Sequence, residues 1–265
     1  MSYTIIIPSF KREHILVSHT LKSLARTDVC ARIIVFTADE EETAKYRKVL
    51  PDSIEVITGV RGLPQQHNHI QRLFPEGEHL LFMDDDLKSI IGLDPNGKRV
   101  HTIKMHEFIL TAFQMTKDSG KRMFGINSTN SNLEMKHTIS VGRIYLVGNF
   151  YGWINSHTDT VDVGDNIPMR AYHMAGKESH ERSLQQWDRY GGVLKFRSFG
   201  VVSKYWGVPG GLQVSRTPEG EEQAAHYLHS KYPTETAMRY YKGVWDLVIK
   251  PKTKVVQFQF VQESL

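Results

Sequence analysis

Three consecutive carboxylates, Asp84, Asp85 and Asp86, follow directly on the apolar run His79-Leu80-Leu81-Phe82-Met83. A buried strand that ends in acids delivers them to the C-terminal edge of a sheet, where open α/β folds bind ligands. Adjacent like charges repel one another, and partial burial raises that cost. A divalent cation shared with phosphate would relieve it, because hard cations such as Mg²⁺ are held by one or two carboxylates plus substrate oxygens. The alternative is a solvated acidic turn, and the apolar strand in front of the acids weighs against it.

Three further groups stand where strands should end. Pro8-Ser9-Phe10-Lys11-Arg12 follows the first apolar run; Pro8 stops the ladder, the next residues offer free backbone to a base or ribose, and Arg12 is placed for phosphate. Ser9 as a helix cap with a surface Lys-Arg pair is the plainer reading. Thr37-Ala38-Asp39-Glu40 follows the second run, with an acid available to a ribose or a uracil edge, or simply to a helix start. Arg61-Gly62-Leu63-Pro64-Gln65-Gln66-His67-Asn68 combines a fixed turn with the donors Arg61, Gln65 and Asn68. None of the four is specific singly; their order, each at a strand's C-terminal end, is the stronger signal.

The second half carries its own candidates. Glu178 and Glu181 stand three apart at a helix start, where an acid opposite a metal site could act as general base on a hydroxyl. Gly148-Asn149-Phe150-Tyr151-Gly152-Trp153 could wall a flipped base or form a core strand. Lys195, Arg197, Lys204, Arg216, Lys231, Arg239 and Lys242, interleaved with Tyr205, Trp206, Tyr240 and Tyr241, are types suited to phosphate contact and base stacking, or to a solvated basic surface. The chain has 13 histidines, but pairs such as His67/His69 and His226/His229 lack the third ligand a histidine zinc site needs.

The elements that would position these groups alternate through the first half. Strands are expected over Thr4–Pro8, Arg32–Thr37, Ser53–Thr58 and the run ending at Asp84, with helices over His14–Arg26, Asp39–Leu50 and Gln65–Leu73. That order implies a mainly parallel, doubly wound sheet flanked by helices. A turn at Pro95–Gly97, a helix near Met105–Lys117 and a strand near Met123–Ile126 follow. The remainder is less regular. It reads as a strand or hairpin at Arg143–Trp153, a helix at Glu181–Tyr190, a strand at Val193–Arg197, a glycine turn at Gly207–Gly211, a helix at Glu219–Lys231, and strands Val244–Ile249 and Val255–Val261. No linker separates the halves, so one fold is expected, with a nucleotide half over 1–130 and an acceptor half over 131–265.

Composition sets outer bounds. With 265 residues, 40% of them hydrophobic and 23% charged, the chain is an ordinary globular protein able to bury a large core. No apolar run approaches the ~18 residues of a membrane span, no signal peptide is apparent, and a cytoplasmic setting is expected. The single Cys30 excludes an internal disulfide and argues against a cysteine zinc site. A net charge of +4 mildly favours a polyanionic partner.

The order of these pieces resembles the GT-A (Rossmann-like) fold of nucleotide-sugar glycosyltransferases, whose Asp-x-Asp motif closes a strand and holds a metal on the donor diphosphate. The resemblance implies that Asp84 lies near the ribose or sugar, that Asp86 is the direct metal ligand, and that the metal is Mn²⁺ or Mg²⁺. It also makes His226 a candidate for the late histidine that many such enzymes add to the metal. A closer likeness covers most of the chain. Pro8-Ser9-Phe10 with Arg12, Gly59-Val60-Arg61-Gly62-Leu63-Pro64-Gln65-Gln66, the aspartate triplet, Glu178-Ser179-His180-Glu181-Arg182-Ser183-Leu184 and Gly210-Gly211-Leu212-Gln213 look like the TET/JBP-associated glycosyltransferases. That group includes enzymes thought to place sugars on hydroxymethylated pyrimidines in DNA, many of them from phages. It typically reads Glu-Asp where this chain has Glu178-Ser179, so the base role rests open between Glu178 and Glu181.

The resulting expectation is a metal-dependent transferase moving a sugar from a UDP-sugar to 5-hydroxymethylcytosine or a related base in DNA. Pro8, Ser9, Arg12, Thr37, Asp39, Arg61, Gly62, Gln65, Asn68, Asp84, Asp85, Gly210 and Gly211 would hold the donor, and no protein partner is expected. A glycosyltransferase with another acceptor, a nucleotidyltransferase and a non-catalytic nucleic-acid-binding module are the alternatives.

Overall fold

Ile5, Ile6 and Ile7 have no polar side to turn to water, and in the computed structural model all three are fully buried in β1 (Thr4–Pro8). The structure describes residues 2–101, 104–160, 177–203, 210–211, 217–241 and 243–258. β1 lies between β4 (His79–Met83) and β2 (Arg32–Thr37), and β2 pairs with β3 (Glu55–Thr58), all in parallel. The spatial order is therefore β4-β1-β2-β3. The chain runs outward from β1 to β3 and then returns to β1's other side, which makes the gap between β1 and β4 a topological switch point, the usual ligand crevice of an open sheet.

The second half joins the same sheet in mixed orientation. β9 (Phe150–Ile154) inserts antiparallel between β4 and β7 (Met123–Asn127), and β7 runs parallel to β10 (Val193–Val202). β8 (Thr138–Arg143) and β13 (Lys252–Gln257) extend the far edge. Of the strand or hairpin expected at Arg143–Trp153 the strand forms, as β9, and the hairpin does not, because β8 pairs with β10 and β13 while β9 is claimed by β4 and β7. Around the Pro95–Gly97 turn, β5 (Ser89–Leu93) and β6 (Arg99–His101) make a hairpin that the sequence did not announce. The last two strands lie in different sheets. β12 (Val244–Ile249) pairs with β11 (Thr236–Tyr241) in a separate two-stranded sheet.

The expected first helix is broken into α1 (Glu13–Leu16), a π-helical turn over Val17–Leu21, and α2 (Lys22–Leu24). Such single π-turns often mark functional sites. Here the turn carries Thr20, whose buried hydroxyl donates to Asp84 O at 2.8 Å and accepts from Leu87 N at 3.0 Å. One side chain thus ties both ends of the acid turn to the helix behind it. Among the described residues the remaining helices are α3 (Glu40–Val49), α4 (Leu63–Leu73), α5 (Met105–Asp118), α6 (Glu178–Tyr190) and α7 (Pro218–Lys231). No helix among the described residues is long and apolar enough to cross a membrane.

β9 is a core strand. Phe150, Tyr151 and Trp153 are all buried, and the Tyr151 ring stacks on Phe82 with centroids 4.9 Å apart. They are therefore not a surface for a flipped base. Gly152 makes their insertion feasible, because a Cβ there would lie 2.0 Å from the Phe124 ring. Gly152→Ala should lower stability by about 1–3 kcal/mol through overpacking; urea denaturation with an unchanged slope would measure it.

Candidate active site

Because β4, β1, β2 and β3 are parallel neighbours, the four loops singled out from the sequence all leave the same edge of the sheet. The first loop is built on the acids. Ser9 Oγ donates to Asp85 Oδ2 at 2.6 Å, and Arg12 Nη1 reaches Asp85 Oδ1 at 3.0 Å and Asp86 Oδ2 at 3.3 Å. Tyr46 on α3 braces the loop, with its hydroxyl 2.6 Å from Ser9 Oγ and accepting from Arg12 N at 3.0 Å. Lys11 adopts φ +55°, an uncommon conformation for a residue with a side chain, and its N–H is held by Glu42 Oε2 at 2.8 Å. Gly210 and Gly211 lie directly over this loop: Arg12 Nη2 donates to Gly210 O and Gly211 N donates to Phe10 O. A Cβ on Gly210 would meet Lys11 O at 2.6 Å, so only glycine fits there.

Among the described residues Arg12 is the one cation hydrogen-bonded to the triplet, and it offsets one charge of three. The imbalance is visible in proton affinities. Burial and the neighbouring Asp86 and Asp85 push Asp84 well above the usual carboxylate range. Burial raises Asp85 to about 6 against the opposing pull of Arg12 and Ser9. Asp86 is raised too, chiefly by burial, with Arg12 and His19 opposing. Asp84 is nevertheless open to solvent on one side, so it is a reachable carboxylate set into a protein wall.

Asp84 and Asp86 suit a hard divalent cation that brings its remaining oxygen ligands with a diphosphate. They do not make a self-contained cage: among the described residues no group of three His, Cys, Asp or Glu side chains could hold a metal. His226 is not brought to the acids. It stands exposed on α7, 3.8 Å from Glu222 one turn away.

The outer loops are more self-contained than expected. Thr37 is fully buried and its hydroxyl sits 2.6 Å from that of Thr43, so it faces α3 and not a ligand. Asp39 caps α3 by accepting from Glu42 N and pairs with Arg61 at 2.8 Å across the second and third loops. Gly62, at φ +93°, turns the chain into α4. Gln65 is half-buried and Asn68 buried on that helix.

Beneath the acid turn lies a second polar cluster that the sequence only half revealed. Glu178 is buried, and its Oε1 receives Arg182 Nε at 2.6 Å, Arg182 Nη2, and His67 Nδ1 at 2.8 Å. Arg182 in turn lies 4.3 Å from the Trp153 ring, a cation held over an aromatic face. Burial opposes the charge on Glu178, but Arg182 and His67 outweigh it and hold the carboxyl well below its ordinary range. Burial holds His67 below its ordinary range, against the pull of Glu178, so the ring is neutral, with Nδ1 set between Glu178 Oε1 at 2.8 Å and Arg182 Nη2 at 2.9 Å, to donate to the one or accept from the other according to its tautomer. The buried Tyr151 hydroxyl, without a hydrogen-bond partner among the described residues, feels the charges of Arg182, Glu178 and Asp84. Nothing local in the sequence joins His67 to Glu178 across 111 positions.

Glu181 is also buried but points elsewhere, accepting from Lys231 Nζ on α7 at 2.8 Å. The expected basic stripe is partly spent in the same way. Lys195 faces Glu134, and Arg239 faces Asp246. Tyr240, Tyr241 and Trp245 remain exposed on the β11–β12 hairpin. Lys204, Tyr205, Trp206, Leu212, Gln213, Arg216 and Lys242 lie outside the described residues.

No family model matches the sequence, and no curated protein matches it. Solved structures do match the fold. S. aureus TarS 1–349 in complex with UDP-GlcNAc is similar with a TM-score of 0.52 and 17% identity, over 87% of this chain and 66% of that one. TarS 1–349 alone gives 0.50 and 15%, over 87% and 65%. A mannosyltransferase from Pyrobaculum calidifontis, in complex with GDP-Man and Mn²⁺, is more distant at 0.45 and 13%, over 74% and 56%. This chain thus spans just under two thirds of the TarS structures. Its fold is the GT-A-type, Rossmann-like α/β fold.

Arg182→Met should cost about 3–5 kcal/mol at neutral pH by stranding a buried carboxylate. The folded-state pKa of Glu178 lies below its unfolded value of 4.5, so its stabilising contribution is full above 4.5 and fades as pH falls towards the folded value. The gap between wild type and variant should therefore narrow on acidification below pH 4.5, measured by denaturant unfolding across pH.

Proposed function

We propose that this chain is a metal-dependent glycosyltransferase that moves a sugar from a UDP-sugar to the hydroxymethyl group of 5-hydroxymethylcytosine, or a related hydroxymethylpyrimidine, in DNA. The observation that carries the reading is the under-compensated acid turn at the switch point of a GT-A-type sheet. A TarS structure of this fold holds UDP-GlcNAc, which supports a UDP-sugar donor. The motif likeness to the TET/JBP-associated group supports the DNA acceptor and a phage modification setting, and the exposed Tyr240, Tyr241 and Trp245 are side chains a nucleic acid could stack on.

On this reading residues 1–130 bind the donor and 131–265 the acceptor. Ser9 and Arg12 fix Asp85, and Asp85 in turn fixes the loop that meets the nucleotide. Asp39 and Arg61, already paired, frame its outer side, with Gln65 and Asn68 behind them. Asp84 faces the ribose or sugar, and Asp86 with Asp84 holds the cation. A divalent cation bound there supplies charge neutralisation to the diphosphate leaving group. Of the two glutamates, Glu178 stands next to the acid turn and is kept ionised by Arg182, whereas Glu181 is engaged by Lys231; Glu178 is thus the base.

The test is UDP release with Mn²⁺ from a panel of UDP-sugars, comparing hydroxymethylcytosine DNA with unmodified cytosine DNA. Release should require the hydroxymethyl group and fall at least about 100-fold in Asp86→Asn. Release indifferent to the DNA would discard the acceptor, and no release with any donor would discard the transferase.

A further inference from the structure

Glu178 is buried, and its Oε1 is taken by Arg182 and His67, so no acceptor hydroxyl can reach that oxygen. Its other oxygen, Oε2, accepts from Ser179 Oγ at 3.2 Å. Ser179, unlike Glu178, is only half-buried. Glycine at residue 148 leaves the hydroxyl uncovered on that side: a Cβ there would lie 2.7 Å from Ser179 Oγ and 3.9 Å from Glu178 Oε2. The next residue, Asn149, accepts from Asp84 N through its carbonyl at 3.0 Å, which sets this opening beside the acid turn. Ser183 steadies the helix start, donating to Ser179 O at 2.8 Å and accepting from Leu146 N at 3.1 Å.

We propose that Ser179 relays the acceptor's proton to Glu178, with Gly148 forming the opening through which the acceptor hydroxyl reaches it. The proposal rests on the glycosyltransferase reading above. In the step, the acceptor oxygen bonds to the anomeric carbon while the bond from that carbon to the diphosphate breaks, both electrons leaving on the diphosphate. The acceptor proton passes to Ser179 Oγ as the serine's own proton passes to Glu178 Oε2. The weak basicity of Glu178 is no obstacle. An alcohol oxygen that has begun to bond to carbon becomes far more acidic than any carboxylic acid, so a firmly ionised acceptor of protons suffices late in the step. Direct displacement of this kind inverts the anomeric configuration.

The experiment uses the full chain with Mn²⁺, the UDP-sugar that supports turnover and hydroxymethylcytosine DNA. Ser179→Ala should lower kcat by about 100-fold or more with donor KM within about twofold, and Ser179→Thr should restore most of it. Ser179→Asp, which supplies a base directly, should retain activity and reduce the solvent deuterium isotope effect, since one proton moves instead of two. Gly148→Ala should mimic Ser179→Ala by covering the hydroxyl. Circular dichroism and UDP binding by calorimetry confirm that each variant is folded and holds nucleotide. A Ser179→Ala enzyme within about twofold of wild-type kcat, or a product of retained configuration, would overturn the relay while leaving the transferase. No turnover and no UDP binding by the wild-type chain would overturn both.

Discussion

Three adjacent carboxylates share one arginine, and the fold around them is arranged to bear that imbalance. Asp84, Asp85 and Asp86 carry up to three negative charges against the one guanidinium hydrogen-bonded to them among the described residues, that of Arg12, and the raised proton affinity of all three reports the cost. An isolated chain would relieve such repulsion by splaying the acids into water. Here Thr20 pins the turn from behind, Ser9 and Tyr46 pin the loop opposite, and Gly210 and Gly211 close over Arg12. Strain of this kind persists only where the surroundings over-determine it, and it is the arrangement expected of a site that receives a cation and a diphosphate together.

The cluster directly below offers the contrast. Glu178 is buried too, yet Arg182 and a neutral His67 satisfy it and depress its pKa. One acid site is thus held hungry for positive charge, while the other is held charged and quiet. On the proposed reading, their juxtaposition would separate two tasks that group transfer to a hydroxyl needs: neutralising what leaves and taking the proton of what arrives.

Much of the first half was legible in the sequence because its strands are continuous apolar runs punctuated by loop residues, and their order alone implies a parallel sheet. The acid turn and the Ser9–Arg12 loop were legible for the same reason. Thr37 was misplaced because a threonine at a strand end looks identical whether its hydroxyl faces a ligand or, as here, Thr43. The insertion of β9 between β4 and β7 was hidden, since antiparallel pairing across a long sequence separation leaves no periodic trace. His226 was put forward on the family resemblance alone, and a late histidine in the chain says nothing about which way its helix faces. The His67–Glu178–Arg182 cluster and the bracing by Thr20 escaped for a related reason: each joins residues far apart in the chain, and no local pattern records the meeting.

The most direct measurement is thermal unfolding of the wild-type chain with Mn²⁺ alone, UDP alone and both together. A cation-bridged donor site requires linkage, since the cation would need diphosphate oxygens to complete its shell and the diphosphate would need the cation to approach Asp84 and Asp86. Tm should rise little with either ligand and markedly more than the sum with both, and the joint rise should vanish in EDTA. UDP stabilisation of equal size in EDTA and in Mn²⁺ would contradict a cation-bridged donor site.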